Sequence, residues 1–272
     1  MTTQAHIIGR LTEQSRLQDI FQEIQQGKGR IILFAGEAGI GKTALAEECL
    51  AQSGLNVFIG RAMENATPPY GPIISALRDC HRQKIGEKID LGNFRQYLAF
   101  LLPELGPAPE TVDNEMLVEA LSAALAGIAN IGPAAIFLDD IQWADNATLE
   151  ILPVLADRLR NHPLLILATY RSDEIPRGHR IRWLRNELRR RRQLQEISVE
   201  ALSRHDAAVL IERVLGASPV SDLTELIFQR TMGVPLFVEE LSAALVNQGC
   251  VRKTTRKNNA WKRWNAWRIV RN

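Results

Sequence analysis

Short apolar runs alternate with helically patterned stretches through residues 1–198. The apolar runs, each of which predicts a strand, are residues 31–35, 57–59, 134–138, 164–169 and 194–197. The stretches whose apolar positions recur at helical spacing are residues 13–26, 72–84, 94–101, 115–130 and 148–159. Apolar strands that alternate with helices are typical of a parallel sheet covered on both faces. We therefore expect an α/β fold, a three-layer sandwich around a parallel sheet.

The pattern changes near residue 200, where the strands stop and the helices continue. Residues 204–214, 222–231 and 237–246 have helical spacing and predict a small helical lid domain. The last segment holds eight Lys or Arg and no acidic residue, a composition that favours disorder. We therefore predict an α/β core at residues 1–198, a helical lid at 199–249 and a disordered, basic, Trp-containing tail at 250–272.

The first predicted strand leads directly into a phosphate-binding motif. Residues 36–43 read GEAGIGKT, which matches GxxxxGK[ST] and makes this a P-loop. Its glycines allow positive φ, so that backbone N–H groups can converge on a polyphosphate, and the helix that follows directs its positive end at the anion. Lys42 is expected to reach the β- and γ-phosphates, and the Thr43 hydroxyl to bind Mg²⁺. The residues predicted to hold nucleotide here are Gly36, Glu37, Ala38, Gly39, Ile40, Gly41, Lys42, Thr43 and Ala44.

Two carboxylates follow the third strand, at the sheet edge where α/β proteins bind ligands. We expect Asp139 to hold Mg²⁺ through water, and Asp140 to orient the attacking water or to act as general base. With Lys42 they form the predicted catalytic set; the alternative is that both acids only cap the strand. Arg171 ends the fourth strand and is either a γ-phosphate sensor or a solvated cation. Asp145 is either a helix cap or a further functional acid.

Composition narrows the class of protein. The three cysteines (Cys49, Cys80 and Cys250) are far apart and form no CxxC pair, which favours a reducing compartment and argues against structural zinc. The first residues do not resemble a signal peptide, and no apolar stretch approaches the roughly 18 residues of a membrane span. We therefore expect a cytoplasmic protein. The net charge of +2 conceals a basic segment at residues 177–192, whose Arg run at 189–192 is either a solvated face or a phosphate-facing patch.

Five ordered motifs resemble the ATPase module of STAND-type signal-transduction proteins, most closely that of the large, maltose-activator-like LuxR-type regulators. The matching segments are residues 8–13 (IGRLTE), 36–43, 137–145 (FLDDIQWAD), 168–171 (ATYR) and 231–240 (TMGVPLFVEE). The resemblance implies an AAA-related P-loop fold, ATP or ADP with Mg²⁺ as cofactors, and an ATP-driven switch. It further implies that the backbone at Gly9 and Arg10 frames adenine and that Pro235 packs near the base.

The chain departs from these regulators at its end. They continue past the lid into a winged-helix region, a helical-repeat sensor and a DNA-binding helix-turn-helix, whereas this chain ends at Asn272. We therefore expect a truncated gene or a frame disrupted near residue 250, with no DNA-binding domain and no membrane association. The expected partners are an adenine nucleotide and a protein partner or a second copy on ATP binding.

Three functions compete at this point. The leading hypothesis is an ATP-binding, slowly hydrolysing switch module of a signalling or transcription regulator. The alternatives are an autonomous P-loop kinase or hydrolase that uses residues 62–133 as a substrate lid, and a fragment that only binds nucleotide. That insertion holds no second cluster of catalytic-type residues, since His81 stands alone beside Arg82. The sequence therefore favours the switch.

Overall fold

The computed structural model describes residues 7–64, 68–256 and 264–269. Its helices are α1 (Leu11–Gln25), α2 (Lys42–Ala51), α3 (Gly71–Arg82), α4 (Arg95–Ala99), α5 (Asn114–Ile131), α6 (Asn146–Arg158), α7 (Arg180–Arg190), α8 (Arg204–Leu215), α9 (Ser221–Thr231) and α10 (Pro235–Asn247). Its strands are β1 (Arg30–Gly36), β2 (Asn56–Arg61), β3 (Ala134–Asp139), β4 (Leu164–Arg171), β5 (Gln195–Ser198), β6 (Val251–Arg256) and β7 (Trp264–Ile269). The chain forms two compact units. We call residues 12–36 and 43–198 the sheet unit, and residues 1–11, 37–42 and 199–272 the helical unit.

A five-stranded parallel sheet is the centre of the sheet unit. Its strand order is β2-β3-β4-β1-β5. Every residue of β3 is buried, as are all but the first of β1 and all but the last of β4. Because successive side chains point to opposite faces of a strand, burial at every position means that both faces are covered. The α/β fold predicted from the apolar runs is confirmed.

The sheet register brings the ends of three strands to one edge. Gly36, the last residue of β1, pairs with Arg171 of β4, and Leu138 of β3 pairs with Ala168 of β4. Since β4 lies between β1 and β3, the residues that follow these strands meet at the carboxyl edge of the sheet. This edge is where ligands bind in α/β sheets.

Several helices begin at side-chain caps that the sequence supplies. The Asp113 carboxylate accepts from the N–H of Met116 at the start of α5. Asp145 accepts from the N–H of Thr148 at 2.8 Å and also from the N–H of Tyr70 at 3.1 Å. Asp145 therefore caps α6, as the structural alternative for this residue predicted.

The helical unit has a core of its own, formed where α8, α9 and α10 pack together. Leu223, Ile227 and Val238 are fully buried in it. The turn between α9 and α10 has Met232 and Gly233 at φ values of 49° and 77°, and a Cβ on Gly233 would lie 2.4 Å from the Leu202 carbonyl oxygen. Only glycine fits so close an approach in the left-handed region, which explains the break in helical pattern before Pro235.

Two strands, β6 and β7, pair antiparallel within the segment predicted as a disordered tail. Val251 is buried in the core of the helical unit. The sequence of β6 and β7 contains β-branched and aromatic residues, which favour extended backbone and were outweighed in our prediction by the net charge. Residues 257–263 and 270–272 lie outside the described residues. The disorder of the tail as a whole, like the domain boundaries, stays a prediction.

Candidate functional site

The P-loop connects β1 to α2, as the sequence predicted. Within residues 37–42 the Lys42 side chain is 5% exposed, and its Nζ donates to the Glu37 carbonyl oxygen at 2.8 Å. Gly39 and Gly41 have φ values of 73° and 92°, which β-carbon-bearing residues rarely adopt. Gly36 differs from our expectation because it keeps extended backbone. It is still paired in the sheet, and its carbonyl oxygen accepts from the N–H of Ser172 at 3.1 Å.

Two further segments of the helical unit hydrogen-bond to the P-loop backbone. The Arg10 side chain, 5% exposed, donates from a guanidinium nitrogen to the Ile40 carbonyl oxygen at 3.1 Å. The N–H of Leu236 donates to the Gly39 carbonyl oxygen at 3.2 Å, and a Cβ on Gly39 would lie 3.0 Å from the Leu236 Cβ. Arg10 and the first turn of α10, which begins with Pro235, are therefore both fixed to the loop.

Gly9 lies against the start of α8 in the same unit. Its φ is 69°, and a Cβ at this position would lie 2.5 Å from the Asp206 Cγ. A side chain at residue 9 would displace Asp206, whose carboxylate accepts from the Ser203 hydroxyl that caps α8. The structure thus gives Gly9 a packing reason that the motif alone did not show.

In the sheet unit, the Asp139 carboxylate is shared by two hydroxyl groups. Oδ1 of Asp139 accepts from Thr43 Oγ1 at 2.8 Å and from Thr169 Oγ1 at 2.6 Å. Asp139 is 8% exposed, and Thr169 is fully buried. A buried carboxylate is costly unless it is hydrogen-bonded, and these two donors supply that compensation. These two hydrogen bonds connect three elements of the sheet unit, namely α2 at Thr43, the end of β3 at Asp139 and the middle strand β4 at Thr169.

Thr169 is the functional candidate that our reading of the sequence missed. Its Oγ1 also accepts from the N–H of Asp140 at 2.8 Å, so that one hydroxyl holds both neighbouring acids in position. The signal was present, because Thr169 is the first polar residue in a strand that is otherwise apolar up to that point. The sequence does not show which residues a buried threonine contacts, so its position in the strand was not enough to identify it as a site residue.

Asp140 and Arg171 form an ion pair at the same edge. The Asp140 carboxylate accepts from Arg171 at 3.3 Å, and the other arm of the guanidinium donates to Glu174 at 2.7 Å. The guanidinium also lies over the Trp143 ring, 4.6 Å from its centroid. Burial lowers the pKa of Arg171, but the hydrogen bonds that it donates to the Glu174 and Asp140 carboxylates outweigh that effect and hold its pKa above the ordinary value. Arg171 therefore has carboxylate partners at this edge, and its role as a γ-phosphate sensor stays a prediction.

The backbone around Asp140 is unusual. Asp140 has φ 55° and ψ 48°, the left-handed region that few residues other than glycine enter. The next turn places Gln142 so that its Oε1 accepts from the N–H of Arg171 at 3.2 Å. The amide nitrogen of Gln142 is buried, and among the described residues it has no hydrogen-bond partner. Strained backbone and an unsatisfied donor are common where a ligand completes the structure.

The chemistry of these residues fits magnesium and phosphate. Mg²⁺ prefers oxygen ligands, and the Thr43 hydroxyl and Asp139 carboxylate supply two that already meet. A polyphosphate needs converging donors and a nearby cation, which positive-φ glycines and a lysine in residues 37–42 offer. Metal and nucleotide are therefore chemically compatible with the residues present.

Comparison with known proteins agrees with this geometry. A family model described as "AAA ATPase domain" matches residues 6–167, which is more than half of the chain. The chain belongs to the AAA ATPase domain family. It is an AAA ATPase-type nucleotide-binding module, and its fold is that of P-loop NTPases.

Solved structures support the fold. Two variants of RuvB from Thermotoga maritima superpose with a TM-score of 0.50 each, at 13% and 14% identity. They cover 91% and 89% of this chain, and this chain covers 66% and 63% of theirs. An uncharacterised protein of Rhizobium meliloti (strain 1021) is 24% identical over 264 residues, a match to 86% of this chain. The chain spans about a quarter (24%) of the length of that curated relative.

The sequence predicted no membrane-spanning segment. Across the part of the chain that the structure describes, no helix combines the length and the apolar character needed to cross a bilayer.

Proposed function

We propose that this AAA ATPase domain is an ATP-binding, slowly hydrolysing switch module of a signalling or transcription regulator. The observation that carries the proposal is the Asp139 carboxylate, shared at hydrogen-bond distance by Thr43 and Thr169. A hydroxyl and a carboxylate joined in this way after β1 and β3 form the metal-binding half of a P-loop nucleotide site. The resemblance of the five motifs to STAND-type modules supports the regulatory role.

Each residue of the P-loop has a proposed task. We assign the phosphate contacts to the backbone of residues 36–44 and to the Lys42 ammonium group. Thr43 and Asp139 would hold Mg²⁺, which supplies charge neutralisation of the phosphate oxygens when bound. The hydrogen bond from Lys42 to the Glu37 carbonyl oxygen holds its ammonium group next to the loop backbone. That ammonium group can exchange a neutral acceptor for a charged one, which makes a stronger hydrogen bond.

Asp140 is the proposed catalytic acid–base residue. A general base must offer a carboxylate oxygen to water, and one oxygen of Asp140 is engaged by Arg171. We propose that Arg171 positions Asp140, and that it responds to the γ-phosphate by exchanging partners. Its two carboxylate contacts, Asp140 and Glu174, provide the alternative positions.

The switch itself would work through the helical unit. Arg10 and Leu236 both bind carbonyl oxygens of the P-loop, so a change in the loop backbone on phosphate binding alters both contacts. We propose that Gly9 and Arg10 frame adenine, that Pro235 packs near the base, and that ATP therefore biases the position of α10. A protein partner or a second copy of the chain, in the cytoplasm, would read that change.

Calorimetry tests the nucleotide site. We expect Mg·ATP to bind the native chain and Lys42→Ala to weaken that binding by about tenfold or more, because a hydrogen bond to a charged group is lost. Lys28→Ala is the matched control, since Lys28 is an exposed lysine ahead of β1. Equal affinities for all three proteins would refute the assignment of Lys42.

Turnover measurements separate binding from catalysis. Asp140→Asn is expected to abolish slow ATP hydrolysis while changing ATP affinity by less than about twofold, because a general base is needed only in the reaction. Glu174→Gln, which removes the other partner of Arg171, serves as the comparison and should retain hydrolysis. Undiminished turnover in Asp140→Asn would remove that residue from the catalytic set.

A further inference from the structure

A second polar pocket lies in the sheet unit, at the amino edge of the sheet, whereas Thr43, Asp139 and Thr169 meet at the carboxyl edge. It has a volume of about 400 Å³ and is lined by Arg30 at the start of β1, Arg160 ahead of β4, and Arg191, Arg192 and Gln193 after α7. We call it the arginine pocket. The seven residues of β1 separate it from the P-loop by about 20 Å, at roughly 3.3 Å per strand residue. It is therefore distinct from the nucleotide site.

The lining of the arginine pocket includes four arginines and no carboxylate. Two of the arginines are fixed by acids outside the lining. Arg30 pairs with Glu23 at 2.8 Å, and Arg191 pairs with Glu187 at 2.7 Å. These acids hold the two guanidinium groups in place and offset their charge.

The other two arginines of the pocket are available to a ligand. Arg160 lies 3.8 Å from Asp157, at the outer limit of an ion pair, while Asp157 also accepts from Arg191. Arg192 is exposed, and its guanidinium has no partner among the described residues. A guanidinium fork matches two oxygens of a phosphate group, so Arg160 and Arg192 can bind an anion.

The backbone around the pocket is built to hold this arrangement. Gly29 approaches the 159–162 turn so closely that a Cβ would lie 2.0 Å from the Leu159 carbonyl oxygen, and its N–H donates to the Arg160 carbonyl oxygen at 2.8 Å. Arg192 has φ 56°, which places a non-glycine residue in the left-handed region at the rim. This residue closes the end of α7, since the N–H of Arg192 donates to the Arg189 carbonyl oxygen at 3.0 Å and the N–H of Gln193 to the Leu188 carbonyl oxygen at 2.8 Å.

One acceptor in the pocket has no partner. The Gln193 amide nitrogen donates to Asp157 at 2.6 Å, whereas its Oε1 is buried and unpaired among the described residues. A buried acceptor without a donor is destabilising, so a ligand that brings an O–H or N–H group would satisfy it. The pocket thus offers arginines to an anionic group of a ligand and the Gln193 carbonyl oxygen to a hydrogen-bond donor of the same ligand.

We propose that the arginine pocket binds a small phosphorylated molecule that also carries a hydroxyl or amine group. Arg160 and Arg192 contact the phosphate, and Gln193 accepts from the hydroxyl or amine. The volume falls within the range of roughly 300–1,000 Å³ that is usual for small-molecule sites, and exceeds that of a single phosphate ion.

Inorganic pyrophosphate is the minimal probe, titrated calorimetrically into the Lys42→Ala protein so that the P-loop does not compete. We expect binding near one equivalent, and a loss of about tenfold or more when Arg160→Gln and Arg192→Gln are added. Arg78→Gln with Arg204→Gln, which removes the same charge at exposed ion pairs elsewhere, is the control and should bind normally.

A substitution with opposite effects on binding and stability guards against misfolding. Arg192→Gly removes the guanidinium but relieves the left-handed strain, so it should weaken pyrophosphate binding while leaving the thermal midpoint equal or higher. Absence of pyrophosphate binding to the Lys42→Ala protein at about 1 mM, or binding unaffected by the double substitution, would overturn the proposal. Tighter binding of a single-stranded oligonucleotide that displaces pyrophosphate would also overturn it, in favour of a nucleic-acid backbone.

Discussion

Replacement of Thr169 by valine removes the hydroxyl that organises the acidic edge of the sheet. Thr169 is fully buried, donates to Asp139 at 2.6 Å and accepts from the N–H of Asp140 at 2.8 Å. Valine has nearly the same shape and also prefers strands, so the substitution changes hydrogen bonding more than packing. It isolates the contribution of one oxygen atom.

The magnitude follows from the two lost bonds. A hydrogen bond to a carboxylate contributes roughly 1.5–3 kcal/mol, and an N–H left without an acceptor costs roughly 1–3 kcal/mol. The Asp139 carboxylate keeps its bond from Thr43, which reduces the first contribution. We therefore expect Thr169→Val to lower the free energy of unfolding by about 2–4 kcal/mol. Thr169→Ser keeps the oxygen and loses a buried methyl group, which costs about 1 kcal/mol.

Thermal unfolding of the two variants and the native chain provides the assay. At about 2–4 °C for each kcal/mol in a chain of this size, Thr169→Val should melt roughly 4–16 °C below the native protein, and below Thr169→Ser. Mg²⁺-dependent ATP affinity should fall as well in the valine variant, because Asp139 loses a positioning donor. A valine variant that melts within about 2 °C of the serine variant would refute the idea that this hydroxyl stabilises the edge.

The remaining predictions concern thiols, a turn and the tail. Burial raises the pKa of both Cys49 and Cys80 to about 11, so alkylation of the folded chain at pH 8 should proceed about 100-fold more slowly than in urea and should accelerate as the pH rises. Mass spectrometry can follow the reaction, and equal rates in the folded chain and in urea would contradict the burial of these thiols. In urea unfolding, Gly233→Ala should destabilise the chain by about 2 kcal/mol or more, whereas Gly216→Ala, which has a left-handed φ but open space around it, should cost about 1 kcal/mol. Similar losses would show that the backbone relaxes around a Cβ at residue 233. Deleting residues 252–272 should change ATP affinity by less than about twofold, because a disordered tail does not support the nucleotide site. If the deletion lowered the melting temperature by more than about 5 °C, the tail would be folded rather than disordered.

The sequence alone determined the elements that depend on local pattern. Buried strands need uninterrupted apolar runs, so β1, β3 and β4 could be located from the sequence. A P-loop needs glycines and a lysine at fixed spacing, so it could be located as well. Asp139 could be named because it follows a buried strand downstream of a P-loop, at the sheet edge where α/β proteins bind ligands. Asp145 was left between two roles, because the capping bond to Thr148 is visible only in three dimensions.

The tertiary structure decided everything that depends on strand order. Nothing local places β4 between β1 and β3, and so nothing local shows that Thr169 joins Thr43 to Asp139. The same holds for Arg171, whose partners are distant or on the opposite side of a turn. Such contacts are set by the pairing of strands that the chain connects through long crossovers, and a residue pattern with periods of two or 3.6 carries no information on that pairing.

The basic run at residues 189–192 shows the same division most clearly. The sequence shows the charge of this run but not the contacts of its residues. Arg190 and Arg191 form ion pairs with Glu187, whereas Arg192 does not. The arginine pocket exists because the end of α7 meets the starts of β1 and β4 at the amino edge of the sheet. Sequence composition fixes how much charge a segment carries, whereas only the fold determines which charges converge on one volume.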